Sequence, residues 1–155
     1  MLEGQKAVST LLKTYAFRLK RASVNPVSVL IVDDEEPVRK FVERVLREAG
    51  YATTTAADGP EAIETASKMA ALDILLTDVM MPQMGGEELA RRLRQNEPAL
   101  KVLYLTGFSD RLFTEKVTLW EDEAFLEKPC SVKGLLQALS LLLFGQIDVP
   151  SEHTS

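Results

Sequence analysis

Three aspartates, a threonine and a lysine are the residues of this chain whose types and spacing could do chemistry. Asp33 and Asp34 follow one short apolar run and Asp78 follows another, while Thr106 and Lys128 stand at the ends of two more. Carboxylates that converge without a counter-charge repel and raise one another's pKa. A divalent cation relieves that repulsion, and an all-oxygen donor set suits magnesium or calcium. A small number of protein ligands leaves positions for water and a phosphate oxygen, as magnesium prefers. A carboxylate held there is also a nucleophile that can take up a phosphoryl group as an acyl phosphate. Such a transfer depends on charge neutralisation and in-line positioning. Lys128 would neutralise phosphoryl oxygens as a point charge, the Thr106 hydroxyl would bond another oxygen, and Gly107 is small enough to keep the entrance open. Met80, Met81 and Met84 read as loop and packing residues, because thioethers suit softer metals.

Taken singly, each of these residues has a plainer role. Asp34, ahead of Glu35-Glu36-Pro37, could cap a helix. Asp78 could be a turn aspartate before Pro82. Thr106 could be an ordinary loop threonine, and Lys128-Pro129 a surface loop. Their shared position is what points to a site, because all of them fall at strand ends of one alternating pattern.

That pattern is regular. Val27 to Val32 is a β-branched run that reads as a buried strand. Val38, Phe41, Val42, Val45 and Leu46 then mark one face of a helix that Gly50 stops. Tyr51 to Ala57 reads as a second strand, and Asp58-Gly59-Pro60 as a turn into a helix reaching about Met69. Leu72 to Thr77 is a third strand ending at Asp78. A loop over Met81–Gly86 leads to a helix from Glu87 to about Gln95, with Leu89, Ala90 and Leu93 inward. Val102–Thr106 is a fourth strand, Asp110–Trp120 a weaker helix, and Ala124–Glu127 a fifth strand. Ser131 caps a last helix that reaches about Phe144. Strands alternating with helices imply parallel β-α units and a doubly wound α/β sheet, whose functional groups gather at the carboxyl ends of the strands.

Composition narrows the function further. The chain has 155 residues, 46% of them apolar, which suits one globular domain. No run is long and apolar enough for a membrane span. Cys130 is the single cysteine, and the first residues lack the order of a signal peptide, so a reducing cytoplasm is expected. His153 is the one histidine, which leaves no His-based triad and no multi-His zinc site. Residues 1–26 carry Lys6, Lys13, Arg18, Lys20 and Arg21 against Glu3, a net charge of +4. The other residues carry -9, a poor partner for nucleic acid. Val8, Leu11, Leu12, Tyr15 and Leu19 share one face of an amphipathic N-terminal helix. At about three turns it is too short to stand alone in water, so it is expected to pack on its own domain or on a second copy in a homodimer. Three units follow: an arm over 1–26, a main domain over 27–144 and a loose tail over 145–155.

The stretches Val29-Leu-Ile-Val-Asp-Asp-Glu-Glu-Pro37, Leu75-Leu-Thr-Asp-Val-Met-Met-Pro82, Leu105-Thr-Gly107 and Phe125-Leu-Glu-Lys-Pro129 together resemble the receiver domain of two-component response regulators. The resemblance runs from about Val27 to Phe144. It implies a flavodoxin-like five-stranded parallel sheet of order 2-1-3-4-5. It implies that Asp78 accepts phosphate from a phosphohistidine on a histidine kinase or phosphotransfer protein. It implies magnesium held by Asp33, Asp78 and the backbone carbonyl of Met80, with Asp34 bound directly or through water. Thr106 and Lys128 would contact the phosphoryl group, Phe125 stands at the switch-aromatic position, and the Lys128–Pro129 bond is expected to be cis. Such a domain signals to a downstream protein and is not an enzyme in the ordinary sense, although it would catalyse its own phosphorylation and dephosphorylation. The receiver portion of a hybrid histidine kinase would carry the same residues. A magnesium-dependent aspartyl phosphohydrolase is disfavoured, because position 80 is Met and supplies no general acid. Two features depart from the family pattern: Trp120-Glu-Asp-Glu-Ala124 lacks the glycine that many receivers place before the fifth strand, and the N-terminal helix lies outside it.

Overall fold

The computed structural model describes Leu12, residues 26–107 and residues 122–145. Its elements alternate: β1 (Ser28–Val32), α1 (Glu36–Glu48), β2 (Ala52–Ala56), α2 (Gly59–Ser67), β3 (Ile74–Asp78), α3 (Gly86–Arg94), β4 (Lys101–Thr106), β5 (Glu123–Glu127) and α4 (Val132–Phe144). The five strands are parallel and lie in the order β2-β1-β3-β4-β5. This is the expected sheet. Element ends differ from the sequence reading by a residue or two, as helix and strand termini do. The helix expected over Asp110–Trp120 and the tail from residue 146 lie outside the described residues, as does the N-terminal stripe apart from Leu12.

Side chains of successive strand residues leave opposite faces, and both faces are covered. Val29 and Ile31 of β1 join one core with Val42, Val45 and Leu46 of α1 and Leu135, Leu136 and Leu139 of α4. Leu30 and Val32 join the other with Ala62 of α2 and Leu89, Ala90 and Leu93 of α3. A strand buried on both faces explains why β1 and β3 read as unbroken apolar runs.

Local signals worked as their chemistry requires, apart from Asp34 and from Phe41, which the helical period puts on the apolar face of α1 but which is 40% exposed. Gly50 takes φ 101°, a left-handed conformation suited to ending α1. The Asp58 side chain accepts from the Glu61 N–H at the start of α2, and Ser131 accepts from the Gly134 N–H at the start of α4. Asp34, however, does not cap α1. Glu35 occupies the cap position without a side-chain cap bond, and Asp33 Oδ1 accepts the Glu35 N–H at 2.8 Å instead. Asp33 is thereby oriented by the backbone that starts the helix.

Leu12 is helical, 5% exposed, and part of the core between the sheet, α1 and α4. A side chain so placed contributes through its own transfer from water and through the cavity its loss would leave. Leu12→Ala is expected to lower unfolding free energy by about 2–5 kcal/mol, read by urea denaturation. Wild-type stability in that variant would mean that Leu12 does not belong to the core.

Candidate functional site

The site begins with register. Val32 of β1 lies opposite Thr77 of β3, so the residues that follow, Asp33 and Asp78, emerge side by side at the carboxyl edge of the sheet. Asp78 lies opposite Leu105, which brings Thr106 to the same edge. The Lys128 N–H donates to the Thr106 carbonyl at 2.8 Å and locks the ends of β4 and β5 together. The Lys128–Pro129 bond is cis, as expected.

Asp33 is fully buried, Asp78 is 5% exposed and Thr106 2%. Carboxylate oxygens of Asp33, Asp34, Glu35 and Asp78 lie within 4.8 Å of one another. Among the described residues, one ammonium faces this group. Lys128 Nζ is 2.9 Å from Asp33 Oδ2, 3.3 Å from Asp78 Oδ2 and 3.8 Å from Glu35 Oε1. Asp33 Oδ2 is buried, and among the described residues the Lys128 ammonium at 2.9 Å is its one close polar partner. One ammonium shared among neighbouring carboxylates leaves an excess of negative charge that fits a bound cation, and the all-oxygen donors fit a hard one.

Titration follows from this crowding. Burial, reinforced by the charges of Asp33 and Asp34, raises the Asp78 carboxyl from its ordinary 3.8 to about 6, although Lys128 pulls it down. Burial works to lower the Lys128 ammonium, but Asp33 and Asp78 outweigh it and raise its pKa, so the lysine stays charged.

Several supports were not read from the sequence. Glu35, seen there only as part of an acidic run before a helix, joins the carboxylate group. Arg39 Nη1 donates to the Asp33 carbonyl at 2.7 Å and ties α1 to the end of β1. The Thr77 hydroxyl donates to the Asp78 carbonyl at 3.0 Å. Gly86 passes so close to β3 that a Cβ there would lie 2.3 Å from the Asp78 carbonyl oxygen, while its N–H donates to the Val79 carbonyl at 2.9 Å. The Gly85-Gly86 pair was the available signal for that close approach. Met84 and Met81 pack against the second core, as read. Met80 directs its side chain to solvent, 61% exposed, and Phe125 on β5 is 43% exposed.

The family model for the response regulator receiver domain matches residues 29–140. The chain belongs to that family. A receiver of this family, the response regulator receiver protein CpdR of Brucella abortus, is 32% identical over 117 residues, covering 76% of this chain and 97% of that protein. The sensor kinase CckA of the same organism is 35% identical over 120 residues, 77% of this chain, but this match spans only 13% of the kinase's length. The crystal structure of a response regulator receiver protein from Sinorhizobium medicae superposes with a TM-score of 0.68 at 31% identity, covering 78% of this chain and 97% of that one. The protein is therefore a receiver domain of two-component signalling, and its flavodoxin-like topology is the one the resemblance implied. Among the described residues, no helix is long and apolar enough to cross a membrane.

A carboxyl whose pKa is higher folded than unfolded holds its proton better in the folded state. Asp78 thus favours folding below its ordinary 3.8, and that contribution is lost as pH rises through about 6. In magnesium-free buffer at pH 7.5, Asp78→Asn is expected to melt above wild type, with the difference vanishing near pH 4. A melting temperature unchanged or lowered at pH 7.5 would show that Lys128 compensates the buried charge fully.

Proposed function

We propose that residues 27–144 form a phosphoacceptor switch in which Asp78 takes a phosphoryl group from the phosphohistidine of a histidine kinase or phosphotransfer protein. The observation that carries this reading is the convergence of Asp33, Asp34 and Asp78 with one lysine at a strand-end edge. In the transfer, a carboxylate oxygen of Asp78 attacks phosphorus, the P–N bond to the donor imidazole breaks, and an acyl phosphate forms. The imidazole leaves with the electron pair and is reprotonated on the donor side. Magnesium, held by Asp33, Asp78 and the Met80 carbonyl with Asp34 directly or through water, would supply charge neutralisation. Lys128 Nζ, already 3.3 Å from Asp78, would exchange that contact for a phosphoryl oxygen. The Thr106 hydroxyl would donate to another. The same groups would serve self-catalysed hydrolysis of the acyl phosphate, which returns the switch to rest.

The added group brings about -1.5 to -2 charge and new acceptor oxygens. Thr106 moves toward them, and Phe125, exposed on the edge strand, turns in to fill the vacated space. The output is then an altered surface read by a protein target. We assign residues 1–26 to an arm, 145–155 to a tail, and the whole to the cytoplasm, in keeping with the single unpaired cysteine. The 35% identity to part of a sensor kinase favours a second reading, the receiver portion of a hybrid kinase. The full reading frame distinguishes the two, since a kinase core upstream would decide for the hybrid.

Asp78→Asn is expected to abolish phosphate incorporation from acetyl phosphate or a kinase while the fold survives, because the amide keeps the shape and lacks the nucleophile. Lys128→Ala should keep part of the incorporation and weaken the conformational response. Incorporation at the wild-type level in Asp78→Asn, measured by mass spectrometry, would mean that another residue is the acceptor.

A further inference from the structure

In the segment that lacks the glycine many receivers place before the fifth strand, Glu123 starts β5, and its side chain is only 5% exposed. It is not left uncompensated. Arg94, the last residue of α3, donates Nη1 to Glu123 Oε1 at 2.8 Å. The same guanidinium donates Nε and Nη2 to the Leu100 carbonyl at 3.3 and 3.2 Å. Glu123 also bonds the hydroxyl of Tyr104, a ring 1% exposed in the core between the sheet and α3. Burial and that acidic neighbour push the phenol's pKa up, so it remains a hydrogen-bond donor at all ordinary pH.

Register gives this network its meaning. Tyr104 lies directly opposite Phe125, and Thr106 opposite Glu127. Residues two apart on a strand share a face, so Tyr104, Thr106, Glu123 and Phe125 all project from one side of the sheet. The bases of the two aromatic rings are therefore about 5 Å apart, the spacing of adjacent strands. One ring is sealed in the core and the other is 43% exposed. Among the described residues, β5 is an edge strand paired only with β4. Phe125 thus sits between two held points, Glu123 before it and the Lys128–Thr106 backbone bond after it.

We propose that Glu123 is a positioning residue of the switch: through Arg94 and the Tyr104 hydroxyl it fixes the Tyr104 ring as the floor against which Phe125 turns. The inference rests on the switch reading of Thr106 and Phe125 given above. When Thr106 shifts, two neighbouring rings compete for the space it vacates. Tyr104 can enter only by breaking buried charge-assisted bonds, which are stronger than neutral ones and costly to leave unmade. Phe125 carries no such bond, so it is the ring that moves. The network touches neither Asp78 nor Lys128; Glu123 starts β5, opposite Val102 and roughly 13 Å of strand from Thr106. It governs how the phosphoryl group is read out and leaves the transfer itself alone.

The test uses the full chain with 4-fluorophenylalanine incorporated at position 125 alone, so that one fluorine resonance reports on that ring. In the wild type, acetyl phosphate with magnesium should move that fluorine resonance. Glu123→Gln and Tyr104→Phe, the latter removing one hydroxyl and keeping the ring, should take up phosphate within about twofold of wild type. In both, the movement at Phe125 should fall by about half or more, as the two rings come to share the vacated space. Thermal melting identifies variants that remain cooperatively folded. Undiminished movement in either folded variant would overturn the proposal, as would loss of phosphate uptake in step with loss of the movement. A wild-type resonance that ignores phosphorylation, or uptake that survives Asp78→Asn, would instead overturn the switch itself and the proposal with it.

Discussion

Among the described residues, a group of four carboxylates faced by the single ammonium of Lys128 at the edge of a buried sheet is the constraint on which this molecule is organised. Lys128 lies between Asp33 and Asp78 and close to Glu35. One positive charge cannot balance that set, and Asp33 and Asp78 are nearly removed from water. Burial, reinforced by the charges of Asp33 and Asp34, raises the Asp78 carboxyl to about 6, and one buried oxygen of Asp33 rests against the Lys128 ammonium alone among the described residues. Both are unfavourable in isolation. Both are also what a site needs if it is to hold a hard cation and then a phosphoryl group, since each added charge finds its complement already in position.

The rest of the fold keeps that imbalance from relaxing. Asp33 is held from both ends of its peptide, by the Glu35 N–H on its carboxylate and by Arg39 on its carbonyl. Asp78 is backed by Thr77 and by Gly86, whose lack of a side chain lets the start of α3 close against β3. Lys128 reaches the site because its own N–H extends the β4–β5 pairing. None of these supports makes a large contribution alone. Together they fix the backbone from which Asp33, Asp78 and Lys128 project.

The opposite end of β4 and β5 shows a different treatment of buried charge. Glu123 is matched by Arg94 and by the Tyr104 hydroxyl, so that pair is internally compensated. One end of the strands is thus electrostatically satisfied and rigid, and the other is left in want of a cation. Phe125 lies between them, exposed on an edge strand.

Much of this was legible in the residues themselves. Apolar runs of strand length alternating with helical stripes determined a parallel doubly wound sheet, because only crossover helices join parallel neighbours and bury both faces. Strand-end placement of Asp33, Asp34, Asp78, Thr106 and Lys128 determined the candidate site, because in such sheets those ends share one edge. Other features depended on which strands became neighbours. Glu35 joins the cluster and takes the cap position of α1 that Asp34 could have held, while the Asp33 carboxylate accepts the Glu35 N–H; a linear sequence offers three adjacent acids without ranking them. Leu12 could not be assigned to its own core or to another molecule, because an amphipathic stripe states only that it must be covered. Glu123 stood in the sequence only as part of a segment lacking an expected glycine, and its value appeared only when packing set it beside Tyr104 and Arg94, the latter 29 residues away from it in the chain. Residue types and their periods determine what must be buried and where strands end, whereas partners distant along the chain are chosen by packing, which no local pattern encodes.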